Sequence, residues 1–299
     1  MKLTNLYGLP EPIIKKIEQL AQSHRGGGDY SVTELVAPPR ITQLKRRHDN
    51  EIIEDASDRL WMLAGSAMHE VLEGAKIDNA FQEEWLSLEI EGIIVTGIPD
   101  WYSSRDVVAD YKFTSVWAII EGLKSEWEAQ VNCYAYMYRT YGFPVKGLEI
   151  NAFLHDWRRG EAKRGGNYPP IPFVRLAVPD WGEEKQLEYF HERLGAHEIV
   201  RQLPDDDLPI CAPEERWEKS TSYAVMKGKN KGATRVCTTL VTAEEWLKQG
   251  KEYRIEERPG ESVRCAKEPN GYCGVSQFCN WGRNKEEGGR MNDGKNNDG

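Results

Sequence analysis

The segment Val107-Val-Ala-Asp-Tyr-Lys-Phe113 constrains this chain more than any other. Its valines, alanine and aromatics read as a buried strand, which Thr114-Ser115 ends ahead of a helical pattern. Side chains alternate across a strand, so Asp110 and Lys112 share one face while Val107, Ala109 and Tyr111 share the other. Charges in that setting are tolerated only when paired or bound to a metal. Asp100, in Gly97-Ile-Pro-Asp-Trp-Tyr102 at what reads as the end of the preceding strand, is the nearest candidate partner. Two facing carboxylates make an oxygen-only nest suited to Mg²⁺ or Mn²⁺, and a lysine beside the ion can hold a phosphate oxygen or a water. The simpler alternative is a same-face ion pair on an edge strand.

With 299 residues the chain has room for one large domain, or for one domain with a substantial appendage. The formal charge of -9 excludes a uniformly basic nucleic-acid coat, but it leaves room for a local basic groove. No apolar run is long enough for a membrane span, and the first residues lack the shape of a secretion signal. A reducing cytoplasm is the expected compartment, that of the host cell if the chain is viral. There the six cysteines are expected to be free or metal-bound rather than disulfide-linked.

A short amphipathic helix is predicted from Pro12 to about His24. From Tyr30 to His48 one short helix runs into another and ends in the basic cluster Lys45-Arg46-Arg47, which either meets phosphates or is a solvated face. From Ser57 to about Ala75, Leu60, Leu63, Ala64, Ala67, Met68, Val71 and Leu72 recur at helical spacing, with His69 beside the stripe. Leu86, Leu88 and Ile90 alternate in strand fashion, with Glu91-Gly92 as a hairpin turn leading on to the strands of Asp100 and Asp110. Ser125 to Tyr141 is a helix closed by Gly142, and Gln130 and Tyr134 share one face of it. These elements alone give an α/β or α+β class.

Taken together, Pro99-Asp100, Asp110-x-Lys112 and Gln130-x-x-x-Tyr134 resemble the signature of the PD-(D/E)xK nuclease superfamily, in its RecB-like branch. The resemblance covers roughly residues 30 to 160. It implies a restriction-endonuclease-like core, a central mixed sheet flanked by helices with three antiparallel strands between two helices. It also implies that His69, in Gly65-Ser-Ala-Met-His69, joins Asp100, Asp110 and the backbone carbonyl of Tyr111 in holding one or two Mg²⁺ or Mn²⁺ ions. Lys112 would offset charge on the phosphate, with Gln130 and Tyr134 lining the active site against DNA. Without the resemblance, His69 and Tyr134 read equally as core residues.

Beyond that core, a strand is predicted over Gly147 to Trp157. The loop that follows carries Arg158, Arg159, Lys163 and Arg164, and a strand over Pro172 to Val178 precedes a helix opened by Asp180 with Glu183 completing its capping box. From about Leu208 the sequence reads as an appendage reaching residue 282, with core residues 1–207 before it and a disordered tail over 283–299. In the appendage Tyr223 to Val236 reads as a hairpin whose tip bears Lys227, Lys229, Lys231 and Arg235, and Thr242 to Gly250 as a short capped helix. Both basic segments are candidate DNA contacts, or solvated turns. Cys265, Cys273 and Cys279 lie in one short loop region, and Cys211 in Leu208-Pro-Ile-Cys-Ala-Pro can supply a fourth thiol. Four thiolates suit a [4Fe-4S] cluster or a structural zinc; simple buried thiols are the alternative. The triplet resembles that of iron-sulfur members of the same branch, whose first cysteine precedes a Pro-Arg near the N-terminus, where this chain has Ala37. Cys133 and Cys237 are explained by core packing.

The function implied is metal-dependent exonucleolytic hydrolysis of DNA phosphodiesters, in phage or viral DNA recombination, repair or degradation. The rival readings are an endonuclease or CRISPR-adaptation-type processing enzyme, and a non-catalytic DNA-binding module of the same fold. The sequence leaves open whether the chain acts as a monomer or a homo-oligomer.

Overall fold

The computed structural model describes residues 1–23, 27–248, 250, 252–265 and 271–281; the tail expected over 283–299 lies outside them. The chain is mixed α/β, with open sheets flanked by helices, and divides into two compact units, Met1–Gln202 and Leu203–Gly299. No helix among the described residues is long and apolar enough to cross a membrane.

The first unit runs β1 (Lys2–Thr4), α1 (Glu11–Ser23), β2 (Tyr30–Ser31), α2 (Val32–Val36), α3 (Pro39–Arg47), β3 (Ile53–Asp55) and α4 (Leu60–Glu73). It continues with β4 (Phe81–Gln82), β5 (Leu86–Ile90), β6 (Ile93–Gly97), β7 (Trp101–Tyr102) and β8 (Val107–Thr114). Then come α5 (Val116–Ile120), α6 (Ser125–Thr140), β9 (Gly147–Leu154), α7 (Arg159–Ala162), β10 (Phe173–Val178) and α8 (Gly182–Gln202). The main sheet has the order β10-β9-β8-β7-β4; β8 and β9 are parallel and its other neighbours antiparallel. A parallel pair needs a long crossover, which α5 and α6 supply.

The β5–β6 hairpin turns where expected, at Glu91 and Gly92, both with positive φ (52° and 80°). It corrects one expectation, however. The hairpin does not join the ladder of β7 and β8 but forms a separate three-stranded sheet with β2. The chain between Gly97 and Trp101 breaks the strand, and Pro99 there has no N–H to continue a ladder.

The core lies between the sheets and the helices α2, α6 and α8. Tyr30, Val32 and Leu35 meet Val131, Tyr134, Met137 and Tyr138 of α6 and Phe190 and Leu194 of α8, all buried. In α4 the stripe read as core is only half-buried. Ala67 and Val71 are exposed, whereas Trp61, Met62, Gly65, Ser66 and His69 of α4 line an open cleft together with Tyr111, Lys112 and Phe113 of β8. The basic cluster closing α3 is exposed at Lys45, Arg46 and Arg47. Within the unit Arg46 lies over the Tyr30 ring and pairs with Glu34, and Arg47 donates to the carbonyls of Val200 and Arg201.

The second unit contains β11 (Glu218–Lys219), β12 (Ser222–Lys227), β13 (Ala233–Cys237), α9 (Leu240–Leu247), β14 (Tyr253–Arg258) and β15 (Glu261–Ser262). The predicted hairpin is β12–β13, and β14, not foreseen, pairs along the other edge of β12. Helix α9 starts earlier than expected, since Thr239 rather than Thr242 caps it by accepting from the Thr242 N–H. Ala243 and Trp246 of α9 pack on Val225 and Cys237.

Candidate metal centre

The site forms where the β7–β8 ladder stops. Trp101 pairs with Ala109 and Tyr102 with Val108; one more step of that register sets Asp100 opposite Asp110. There the backbone bond is replaced by a side chain, as the Tyr111 N–H donates to Oδ2 of Asp100 at 2.5 Å. On the next strand Gln82 pairs with Trp101, so the same step sets Glu83 opposite Asp100, and the Glu83 N–H donates to the Asp100 carbonyl at 3.4 Å. Glu83 just after β4 and Asp100 just before β7 thus line up with Asp110 inside β8, three carboxylates across three adjacent strands.

His69 reaches this row from α4. Its Nδ1 lies 3.2 Å from both Glu83 Oε1 and Asp100 Oδ1, and its ring meets the Tyr111 ring edge-on. The bonds to Asp100 and then Glu83 outweigh the cost of burial and hold the imidazole pKa up to about 10. A cation is therefore favoured at this spot. The ligand atoms of His69, Glu83 and Asp100 lie within 4.8 Å of one another, a nitrogen-and-oxygen set that a divalent ion can bind.

Glu83 was not anticipated from the sequence. Two-residue β4 is too short to show an alternation, so its register against β7 was illegible. The available signal was an acid at the end of Phe81-Gln82, which only the pairing turns toward Asp100.

Asp110 is buried on the other side of the row. Its Oδ2 lies 2.5 Å from Lys112 Nζ, in a close ion contact rather than an aligned hydrogen bond, and no hydrogen bond satisfies that atom among the described residues. Burial pushes the Asp110 carboxyl up, the Lys112 ammonium pulls it back, and the charge of Asp100 raises it again. A buried carboxylate oxygen with one imperfect partner fits a site that accepts a further cation.

Lys112 is fixed from α6. It donates to Gln130 Oε1 at 2.8 Å, and Gln130 Nε2 in turn donates to the Tyr134 hydroxyl at 3.1 Å. The Tyr134 ring fits because residue 97 is glycine; a Cβ there would stand 2.8 Å from the ring. Asp110, Lys112, Gln130 and Tyr134 therefore form one continuous chain. An open cleft of about 370 Å³, lined by Trp61, Met62, Gly65, Ser66, His69, Tyr111, Lys112 and Phe113, gives access to it.

The basic candidates are distributed differently. In the first unit α7 breaks the loop after β9; one Arg164 nitrogen donates to both carboxylate oxygens of Glu161, and Arg158, Arg159 and Lys163 are exposed. In the second, Lys227 is 3.9 Å from Glu252 and lies over the Tyr253 ring, whereas Lys229, Lys231 and Arg235 are exposed. That unit also holds Cys211, Cys265, Cys273 and Cys279, all half-buried; among the described residues their thiols do not form a group of ligand atoms all within 4.8 Å of one another, as His69, Glu83 and Asp100 do. Burial pushes the Cys211 thiol up to about 12, and Glu215 and the three other thiols, close enough for their charge to be felt, add to it. Burial likewise raises Cys273. Cys133 and Cys237 are buried in the cores of their respective units.

None of the protein-family models matches the chain, and neither does any curated protein. Among solved structures, the chain is similar to the crystal structure of SSO0001 at 16% identity and TM-score 0.44, over 62% of this chain and 85% of that one. A phage-related exonuclease from Haemophilus somnus 129PT is similar at 13% identity and TM-score 0.28, over 63% of this chain and 77% of that one.

Proposed function

We propose that this protein is a Mg²⁺- or Mn²⁺-dependent DNA exonuclease of the PD-(D/E)xK type, of the RecB-like branch. One observation carries the reading: the His69, Glu83 and Asp100 cluster lies beside a buried Asp110–Lys112 pair that is tied to Gln130 and Tyr134. A structural ion pair would need neither the histidine nor the second and third carboxylates.

In this reading His69, Glu83 and Asp100 hold the ion, with Asp110 and the Tyr111 carbonyl beside it. When bound, Mg²⁺ or Mn²⁺ acidifies a coordinated water and offsets charge on the scissile phosphate. Lys112 presents its ammonium to the charge that grows on the phosphate oxygens. Gln130, oriented by Tyr134, holds Lys112 in place, so the lysine needs little reorganisation at the moment of reaction. Arg158, Arg159 and Lys163, and separately Lys229, Lys231 and Arg235, are proposed to neutralise backbone phosphates. The four thiols of the second unit are proposed to hold a [4Fe-4S] cluster, with zinc as the other occupant four thiolates allow.

The test is digestion of end-labelled linear DNA and closed circular DNA in Mg²⁺ and in Mn²⁺, by the protein and by its Asp110→Asn and Lys112→Ala variants. Cleavage of linear DNA alone, reduced about a hundredfold or more in both variants, is expected. Cutting of closed circles would make the protein an endonuclease. DNA retention without turnover in either metal would make it a binding module.

A further inference from the structure

Trp61 stands at the start of α4 and is 63% exposed, although it lines the same cleft as His69 and Lys112. Its ring is not loose. It stacks on His155, with centroids 4.5 Å apart and planes 20° from parallel, and Phe113 lies 6.2 Å from Trp61 and 5.3 Å from His155. His155 is itself anchored just after β9, where its N–H donates to the Thr114 carbonyl at the end of β8. One face of the indole is thus held by an imidazole and the ring is pre-oriented, which lowers the entropy cost of adding a second stacking partner. The metal cluster lies at one side of this platform, and the exposed Arg158 and Arg159 follow His155 within the same chain segment.

Aromatic rings beside cations are how unpaired nucleic-acid strands are gripped, because every base offers a flat face and each linkage a charge. Inside a duplex those faces are covered by neighbouring base pairs. The cleft volume of about 370 Å³ is on the scale of a small-ligand site. We propose that Trp61, backed by His155, is a stacking platform for an unpaired base of a DNA strand whose adjoining phosphate lies at the His69, Glu83 and Asp100 cluster. The substrate is then a single strand or an opened strand end. This inference rests on the nuclease reading for the phosphate position but not for the stack itself.

The experiment measures binding without turnover. Fluorescence anisotropy of a labelled oligodeoxythymidine, of a strand of equal length carrying abasic sites, and of a duplex is followed in Ca²⁺ with the full chain and with Trp61→Ala and Trp61→Phe. The unmodified protein should bind the intact strand about tenfold or more tighter than the abasic strand and the duplex. Trp61→Ala should bind intact and abasic strands alike, and Trp61→Phe should keep most of the preference. An equal abasic penalty in the protein and in Trp61→Ala, or a duplex bound as tightly as the single strand, overturns the proposal. Failure of the nuclease reading appears separately, as strand binding with base preference intact but no cleavage in Mg²⁺ or Mn²⁺.

Discussion

Asp110 is a carboxylate taken out of water with Lys112 as its nearest counter-charge. Removing one partner of such a pair costs more than the pair itself contributes, because the remaining charge is left buried. Lys112→Met is therefore expected to lower stability by about 3 kcal/mol without metal, and added Mn²⁺ should recover much of it by taking the place of the ammonium. Thermal unfolding with and without Mn²⁺ reads both effects; identical melting of the variant and the parent would mean that Lys112 is not the ion that Asp110 relies on. Glu83 makes an independent claim. Replacing its charge in Glu83→Gln should weaken Mn²⁺ binding by roughly tenfold to a hundredfold. Calorimetric titration decides this, and an unchanged affinity removes Glu83 from the ligand set.

At the level of elements, α6 can position Lys112 only because β6 ends in a residue without a side chain. Gly97→Ala would drive a methyl into the Tyr134 ring, at an expected cost of about 1–3 kcal/mol, and would shift the Tyr134–Gln130 bridge. Urea unfolding measures the first effect and cleavage rate the second; a fully active, fully stable variant would show that the close approach is not needed. Helix α8 closes a different joint. His197 donates to the Leu35 carbonyl, and Arg193 to those of Leu35, Val36 and Ala37, which satisfies the carbonyls at the end of α2. Burial lowers the His197 pKa from 6.5 to about 4. Between those values the unfolded chain binds the extra proton, so stability rises with pH. The contribution is complete above about pH 6.5 and is lost as pH falls toward 4, by an amount on the order of 3 kcal/mol. His197→Gln, which keeps a donor and cannot charge, should flatten that acid limb in melts taken from pH 7 to 4. An unchanged slope would place the titration elsewhere.

For the whole molecule, the division into Met1–Gln202 and Leu203–Gly299 puts the carboxylate cluster in one unit and Cys211, Cys265, Cys273 and Cys279 in the other. A fragment of residues 1–202 is expected to fold cooperatively and to bind Mn²⁺ with the affinity of the full chain, since every ligand of the cluster lies within it. Loss of Mn²⁺ binding in a folded fragment would contradict that independence. The full chain, purified without oxygen, should carry iron that Cys211→Ser lowers, as read by metal analysis and the visible absorbance of a cluster. Zinc in place of iron would select the tetrahedral alternative.

Local patterns carried much of this in the sequence itself. The alternation in β8 put Asp110 and Lys112 on one face, the helical spacing in α6 put Gln130 with Tyr134, and the Glu91-Gly92 turn fixed the β5–β6 hairpin. Each depends only on the repeat of a single element, which a string of residues displays directly. Whether Glu83 joins His69, whether β5 and β6 belong to the ladder of β8, and that Trp61 stands open beside the cleft rather than in the core were settled by long-range pairing. Register between strands and the packing of a helix over a sheet depend on groups far apart in the chain, and no local period encodes them.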